Sequence, residues 1–478
     1  MSQNRTKLFI ENFLAYGTIN ALDKIVPLIM LPIVTRLITD TGDYGRFEMF
    51  NTIVGFGGTF AVLGMYDAMF REYFEKNSLE YKKIVTSTSA RIVFFSALLV
   101  TFLLIIFSRI TSQLFLNTSE NWGIVIMAAM GTFLSANRAI ISAPTRIKNQ
   151  RSIYVFSGIS YSFIYYLLAI IFIKLGFNYY GLIYGNLIAS CYLLLFFYIL
   201  NRKDFNLNLF NIKVAKELLK IGIPLVPCFV IYWAFNSMDK IMISHIIGIN
   251  AVGIYSIGAK VASVSMFIYA AFAGGWQYFA FSTMKDKDQV ELTSKVFEYL
   301  GVLSVIAFCV ATIFDDFVFT LFFTGDYVLG VLVFPYLFLS PLMLMLFQTA
   351  GNQLLVVKKS YLSTLTLAIG LIFNLVLNYY FIPIYGIKGA ALATLVGYAC
   401  SVVSIVILTI KMQLLHIKPR FINLAIIIIL FIVKLFWFDD IWSNLFAILI
   451  VFISFALYYK DVMQVFKTRT RLKSRITI

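Results

Sequence analysis

Charge is what this chain has least of. Only 13% of its 478 residues are Asp, Glu, Lys or Arg, about half the ~25% usual in soluble domains. Hydrophobic residues make up 60%, and mean hydropathy is +0.87. That shortage excludes an ordinary water-soluble fold. Cysteine and histidine are scarce as well. Cys191, Cys228, Cys309 and Cys400 all fall inside apolar runs, at spacings that suit neither a disulfide framework nor a metal site. His245 and His416 stand far apart, so His-based catalysis and metal binding are not expected. The sequence has no P-loop, no nucleotide-binding glycine motif, no HExxH and no nucleophile elbow. ATP hydrolysis by this chain is therefore not expected, and neither is a cofactor. Its work would draw on an H+ or Na+ gradient, the membrane potential or the substrate's own gradient. A cleavable signal peptide is not expected either. The first apolar run starts near Leu8, lacks a small-residue cleavage motif and carries Asp23 and Lys24, so it reads as a first span.

In place of charge there are long apolar runs. About 20 apolar residues cross a bilayer as a helix. The runs predict fourteen such spans, over 10–35, 45–70, 85–107, 122–141, 154–173, 179–200, 218–243, 251–281, 296–323, 327–350, 361–382, 387–410, 422–438 and 441–459. The loops between them alternate in sign. One set carries Lys82 and Lys83, Arg146, Lys148 and Arg151, Arg202 and Lys203, and Lys358 and Lys359. The other carries Asp40, Asp43, Glu120, Asp326, Asp439 and Asp440. By the positive-inside rule, both termini are expected in the cytoplasm. The net charge of +16 then serves topology and contact with anionic lipid rather than nucleic acid. The expected fold is an all-α integral membrane protein with two six-helix bundles related by a pseudo-twofold. Residues 1–206 would form the first bundle and 207–415 the second, with helices 13 and 14 and a basic cytoplasmic tail over 416–478. A constant offset of 208 aligns Gly45 with Gly253, Gly181 with Gly389, and Arg151-Ser152 with Lys359-Ser360. That is the parallel six-plus-six plan of many transporters.

Charges inside spans are costly and normally face a cavity or a partner. The candidate substrate-binding cations are Lys24, Arg36, Arg91, Arg138, Lys240 and Lys260. Asp23, Asp67 and Asp239 are candidate coupling or structural acids. Arg36, Glu48, Asp67, Arg138 and Lys434 lie near enough to span ends to snorkel. Cations outnumber acids in this set, which suits an anionic cargo such as a lipid pyrophosphate or an acidic sugar. Arg offers a forked donor for phosphate, and Lys a point charge. Pro27 and Pro32 in the first span, and Pro224 and Pro227 in the seventh, predict kinked gating helices; kinks without gating are the plainer alternative. Aromatic residues reach 17%. Trp233 and Trp276 are candidates to stack on sugars, while most of the others suit lipid contact and interfacial belts.

Short stretches along the chain carry a likeness to a known family. They are Leu31-Pro32-Ile33-Val34-Thr35-Arg36-Leu37 followed by Tyr44-Gly45, then Gly222-Ile223-Pro224-Leu225-Val226-Pro227 and Met238-Asp239-Lys240. Val252-Gly253-Ile254-Tyr255-Ser256 follows, with Lys260 just beyond. In these the chain resembles the Wzx-type O-antigen and polysaccharide-repeat flippases of the multidrug/oligosaccharidyl-lipid/polysaccharide exporter superfamily. The resemblance covers essentially the whole chain, with Lys240 where the family often has Arg. It implies two bundles in a V, alternating between inward-open and outward-open states. It implies a transporter rather than an enzyme, with undecaprenyl-pyrophosphate-linked oligosaccharide as cargo. The cargo would move from the inner to the outer leaflet of a bacterial cytoplasmic membrane, among membrane lipids and beside a polysaccharide polymerase and a chain-length regulator. Three other classes are weighed against it. A cation-coupled multidrug exporter would need acids to dominate the cavity. A membrane polymerase or ligase usually carries a large outer loop, and a structural scaffold needs no buried charge.

Overall fold

The computed structural model describes residues 25–206, 208–270, 272, 288–438 and 441–474. Every regular element among the described residues is helical. Helix α1 (Ile25–Leu37) leads into α2 (Thr41–Val62), whose N-cap Asp40 accepts from Gly42 N at 2.8 Å. A side-chain oxygen there satisfies one of the free N–H groups of the first turn. Leu63 and Gly64 turn left-handed at the end of α2, and α3 (Met65–Tyr73) continues at a 41° bend. There follow α4 (Leu79–Ile106), α5 (Ser108–Leu116), α6 (Trp122–Ile141), α7 (Ala143–Ile147), α8 (Arg151–Phe172) and α9 (Asn178–Asn201). Next, α10 (Ile212–Gly222) is amphipathic, burying Val214, Ala215 and Leu218 and exposing Lys213, Lys216 and Lys220. The remaining helices are α11 (Val226–Ile246), α12 (Ile249–Ala262), α13 (Gln289–Phe322), α14 (Phe334–Val356), α15 (Tyr361–Lys411), α16 (Pro419–Trp437) and α17 (Ile441–Ser474).

Among the described residues, nine helical stretches are long and apolar enough to cross a membrane. Two of them hold more than one span. The stretch Ser152–Asp204 has 53 residues and breaks around Gly176. Helix α15 has 51 and breaks at Gly386. A straight helix of that length would run about 75 Å, far more than the ~30 Å hydrocarbon core. Instead its two arms pack on each other, with Asn374 Nδ2 donating to Thr394 Oγ1 at 3.2 Å. Many span positions match expectation. The range 122–141 is α6 itself, and 179–200 lies within α9. Others do not. The tenth helix begins at Phe334 rather than Tyr327, because a 3-10 run over Gly325–Leu332 precedes it. Pro335 therefore sits in the first turn of α14, where a missing N–H costs nothing. The first and eighth expected spans extend beyond the described residues.

Helix α2 is the hub. It packs against α4, α6 and α9 on one side and against α11 and α12 on the other. Its crossing with α12 is backbone on backbone. A Cβ on Gly45 would lie 2.2 Å from Ile249 O, and one on Gly253 2.0 Å from Thr41 O. Only glycine permits that approach. These are the two residues that the 208-residue offset aligns. The surface is a belt of exposed apolar side chains, such as Leu99 and Phe102 on α4, Leu430 and Val433 on α16, and Leu449 and Phe452 on α17. A soluble protein rarely exposes so much, whereas a bilayer covers it. The molecule has one end rich in Asp loops and one rich in Lys/Arg loops, called here the acidic and basic ends.

Candidate functional site

Helix α2 carries Glu48 two turns in from the acidic end, and the residue is 2% exposed. Two lysines from other helices meet this one carboxylate. Lys240 of α11 reaches Oε2 at 3.0 Å, and Lys260 of α12 reaches Oε1 at 2.5 Å. Lys260 Nζ also donates to Tyr44 Oη at 2.7 Å and lies over the Tyr44 and Phe47 rings. Desolvating an ion costs several kcal/mol unless it is paired and hydrogen-bonded. Here one anion is shared by two cations, so the cluster keeps one net positive charge. Lys260 is the open member: its side chain is 40% exposed, against 18% for Lys240. It borders a cleft of about 200 Å³ with Pro27, Leu28, Tyr166 and Phe267. Glu48 is thus no snorkelling residue, contrary to the sequence expectation. Closeness to a span end does not reveal that α12 covers that end of α2. A lone carboxylate in an apolar run was the available signal.

Asp239 adjoins Lys240, and adjacent helical residues point about 100° apart. Asp239 therefore faces α12 and α15, where it is 3% exposed. It accepts from Tyr255 Oη at 2.7 Å, Asn378 Nδ2 at 2.7 Å, Asn374 Nδ2 at 3.3 Å and Thr394 Oγ1. None of the ion pairs among the described residues includes it. The amide oxygens of Asn374 and Asn378 are buried beside it without a donor. The carboxylate is thus held by two hydroxyls and two amide N–H donors in a buried, uncharged pocket, where uptake of a proton would change its charge. Sequence reasoning found Asp239 and missed its neighbours. Asn374 and Asn378 share one helix face at i, i+4, but neutral polar residues do not stand out in so long an apolar run.

The other predicted residues are dispersed. Arg138 of α6 is half-buried, its guanidinium 5.5 Å over the Tyr161 ring. It lines a cleft of about 340 Å³ that also touches Pro27. Arg91 instead lies over Phe210, in the connection to α10. Arg36 is exposed at the end of α1. These two do not join the lysine cluster, because they occupy other faces and ends of their helices. Asp67 of α3 borders a separate cleft of about 470 Å³ against α11. Pro27 and Pro32 lie within α1. Pro224 sits in a 3-10 turn and Pro227 in the first turn of α11, at the junction of α10 and α11 within the continuous stretch Ile212–Ile246. Trp233 donates to Thr52 O at 3.2 Å and packs on Phe56, clamping α11 to α2. Lys434 bonds Ser443 across the α16–α17 turn. Asp23, Lys24 and Trp276 lie outside the described residues.

At the acidic end the crossing of α2 and α12 is closed. Gly45 and Gly253 touch, and Tyr327 Oη donates to Ile38 O at 2.9 Å and Asp40 O at 3.1 Å. The clefts lined by Arg138 and by Cys228 and Gln348 lie toward the basic end, where α8 and α15 begin.

Comparison with known proteins gives a consistent picture. The polysaccharide biosynthesis protein family matches this chain over residues 33–332. An uncharacterized membrane protein of Methanocaldococcus jannaschii, MJ1068, is 25% identical over 399 residues, 74% of each chain. Among solved structures, the lipid II flippase MurJ in an inward closed conformation superposes with a TM-score of 0.71 at 16% identity. That match covers 94% of this chain and all of the other. A mutant of the Vibrio cholerae MATE transporter VcmN gives 0.63 at 14% identity, covering 86% and 99%. The fold is the one these transporters share.

Proposed function

The chain belongs to the polysaccharide biosynthesis protein family, and on that premise we propose that it is a flippase for a lipid-linked oligosaccharide. The cargo would be an undecaprenyl-pyrophosphate-linked repeat unit, moved from the inner to the outer leaflet of a bacterial cytoplasmic membrane. Both termini and the basic end would face the cytoplasm, and no covalent chemistry would be done. Two six-helix bundles, within 1–206 and 207–415, would rock about the α2–α11–α12 seam, while residues 416–478 stay outside the cycle. A polymerase and a chain-length regulator would act on the product.

The observation that carries this reading is the Glu48 cluster, a net positive charge at the seam between α2 and the pair α11 and α12. Glu48 holds both lysines in the closed acidic end. An entering pyrophosphate offers the lysines a more highly charged anion with several oxygens for each ammonium, and an acidic sugar offers a carboxylate in exchange for that of Glu48. Exchange of Glu48 for cargo frees α2 from α11 and α12, and opening toward the outer leaflet follows. Asp239 lies next to Lys240 on the same helix. Taking up or releasing H+ or Na+ at Asp239 would bias the position of Lys240 and so couple the cycle to an ion gradient.

The test is a strain lacking this gene. Complete, unpolymerised repeat units should accumulate on their lipid carrier while surface polysaccharide disappears. Unchanged lipid-linked sugars with intact surface glycan would favour the second reading, a cation-coupled multidrug exporter. The buried carboxylate of Asp239 and the fold shared with VcmN support that alternative.

A further inference from the structure

Two clefts at the basic end are built to one plan. On α8 the lining positions are 154, 157, 158, 161 and 162; at the start of α15 they are the N-cap 360 and then 363, 364 and 367. Both sets contain the i, i+3, i+4, i+7 stripe of a single helix face. Opposite them stand Arg138 of α6 with Ser142 at its C-cap, and Gln348 and Asn352 of α14, each pair one turn apart. The difference between the clefts is chemical. On the facing helix one holds a guanidinium and the other an amide.

The first cleft, of about 340 Å³, reaches the size of ordinary ligand pockets. Arg138 stands over Tyr161 and takes part in none of the ion pairs among the described residues. Tyr154, Ser142, Ser157 and Ser162 surround it with hydroxyls. A half-buried arginine without a carboxylate partner keeps its forked donors for an incoming anion. The second cleft, of about 230 Å³, has no charged side chain among the described residues of its lining. Tyr232, Gln348, Asn352, Ser363 and Thr364 offer donors and acceptors only. Gln348 Oε1 accepts from Tyr269 Oη at 2.5 Å, and Ser363 Oγ is buried without a partner. A neutral polar site of this kind suits hydroxyls and disfavours ions, whose desolvation it cannot offset.

We infer that, at the basic end and before the anion reaches the lysines of the Glu48 cluster, the two clefts divide the cargo's head between them: the Arg138 cleft takes an anionic oxygen group, and the Gln348 cleft takes uncharged sugar hydroxyls. The inference rests on the proposed transport of a lipid-linked saccharide. The anion has two sources, the carrier's pyrophosphate or a carboxylate on the sugar, and the test separates them.

The experiment measures binding to the purified full-length protein in phosphatidylcholine nanodiscs. Three probes share an apolar tail: farnesyl pyrophosphate, dodecyl glucuronide and dodecyl maltoside. Arg138→Gln should weaken an anionic probe about tenfold or more, as for loss of a charge-assisted hydrogen bond, and leave maltoside within about twofold. Arg138→Lys should recover much of the loss. Asn352→Leu should do the reverse, weakening maltoside alone. A loss confined to farnesyl pyrophosphate assigns the Arg138 cleft to the carrier; one confined to the glucuronide assigns it to an acidic sugar. Equal loss of all three probes in Arg138→Gln, or no loss, overturns the division of labour and leaves the transport reading standing. A wild-type protein that binds none of the three overturns both.

Discussion

At the scale of single residues, exposure ranks the two lysines. Lys240 is the more deeply enclosed partner of Glu48. Removing one member of a buried pair costs about 3–5 kcal/mol, because the remaining charge stays buried without compensation, whereas exposed pairs contribute under about 1 kcal/mol. Glu48→Gln should therefore lower thermal stability in detergent more than either lysine substitution does. Lys240→Met should leave Glu48 with one cation, and Lys260→Met should cost least, since that side chain is partly solvated. A melting series that placed Lys260→Met first would contradict this order. Asp239→Asn is a different case. It leaves the donors of Tyr255, Asn378 and Thr394 in place, so folding should survive. Transport by that variant in membrane vesicles should lose its response to an imposed H+ or Na+ gradient; an undiminished response would remove Asp239 from coupling. Lys240, Lys260 and Asp239 were legible in the sequence because a charge inside an apolar run announces itself. Asn374, Asn378 and Thr394 were not, since nothing in one dimension shows that two arms of a folded helix meet at Asp239.

At the scale of elements, two glycine sites govern geometry. Gly386 has φ 60 and ψ −143, a conformation that costs other residues about 1–3 kcal/mol. Gly386→Ala should reduce folded protein in the membrane, measured as monodisperse yield after extraction. Gly253 is bound by contact instead. A methyl there meets Thr41 O and should wedge α2 from α12. An Asn250→Cys label site near this crossing should then react faster with an impermeant maleimide in a Gly253→Ala background. An unchanged rate would mean that the seam closes by other contacts. Most long helices were readable from apolar run length alone, as α6 and α9 illustrate. Misplacements came where length carries no information. The 3-10 run before Phe334 is as apolar as the helix it precedes.

At the scale of the whole molecule, the acidic end is closed at the α2–α12 crossing and the polar clefts lie at the basic end, which the proposed function takes as one side of an alternating cycle. The likeness to MurJ in an inward closed conformation is a likeness of fold. What this chain adds is its own charge plan: one buried acid between two lysines at the seam, and a separate uncharged nest for Asp239. The class of fold and the cation excess could be read from sequence. The sharing of Glu48 could not, because its three members come from three helices whose crossing is set by Gly45 and Gly253. The most direct test is surface polysaccharide in the gene-deleted strain carrying the double variant Lys240→Gln, Lys260→Gln at wild-type membrane abundance. The account predicts no surface polysaccharide and accumulated lipid-linked repeat units. Full surface polysaccharide from that variant would show that the lysine cluster does not carry the cargo.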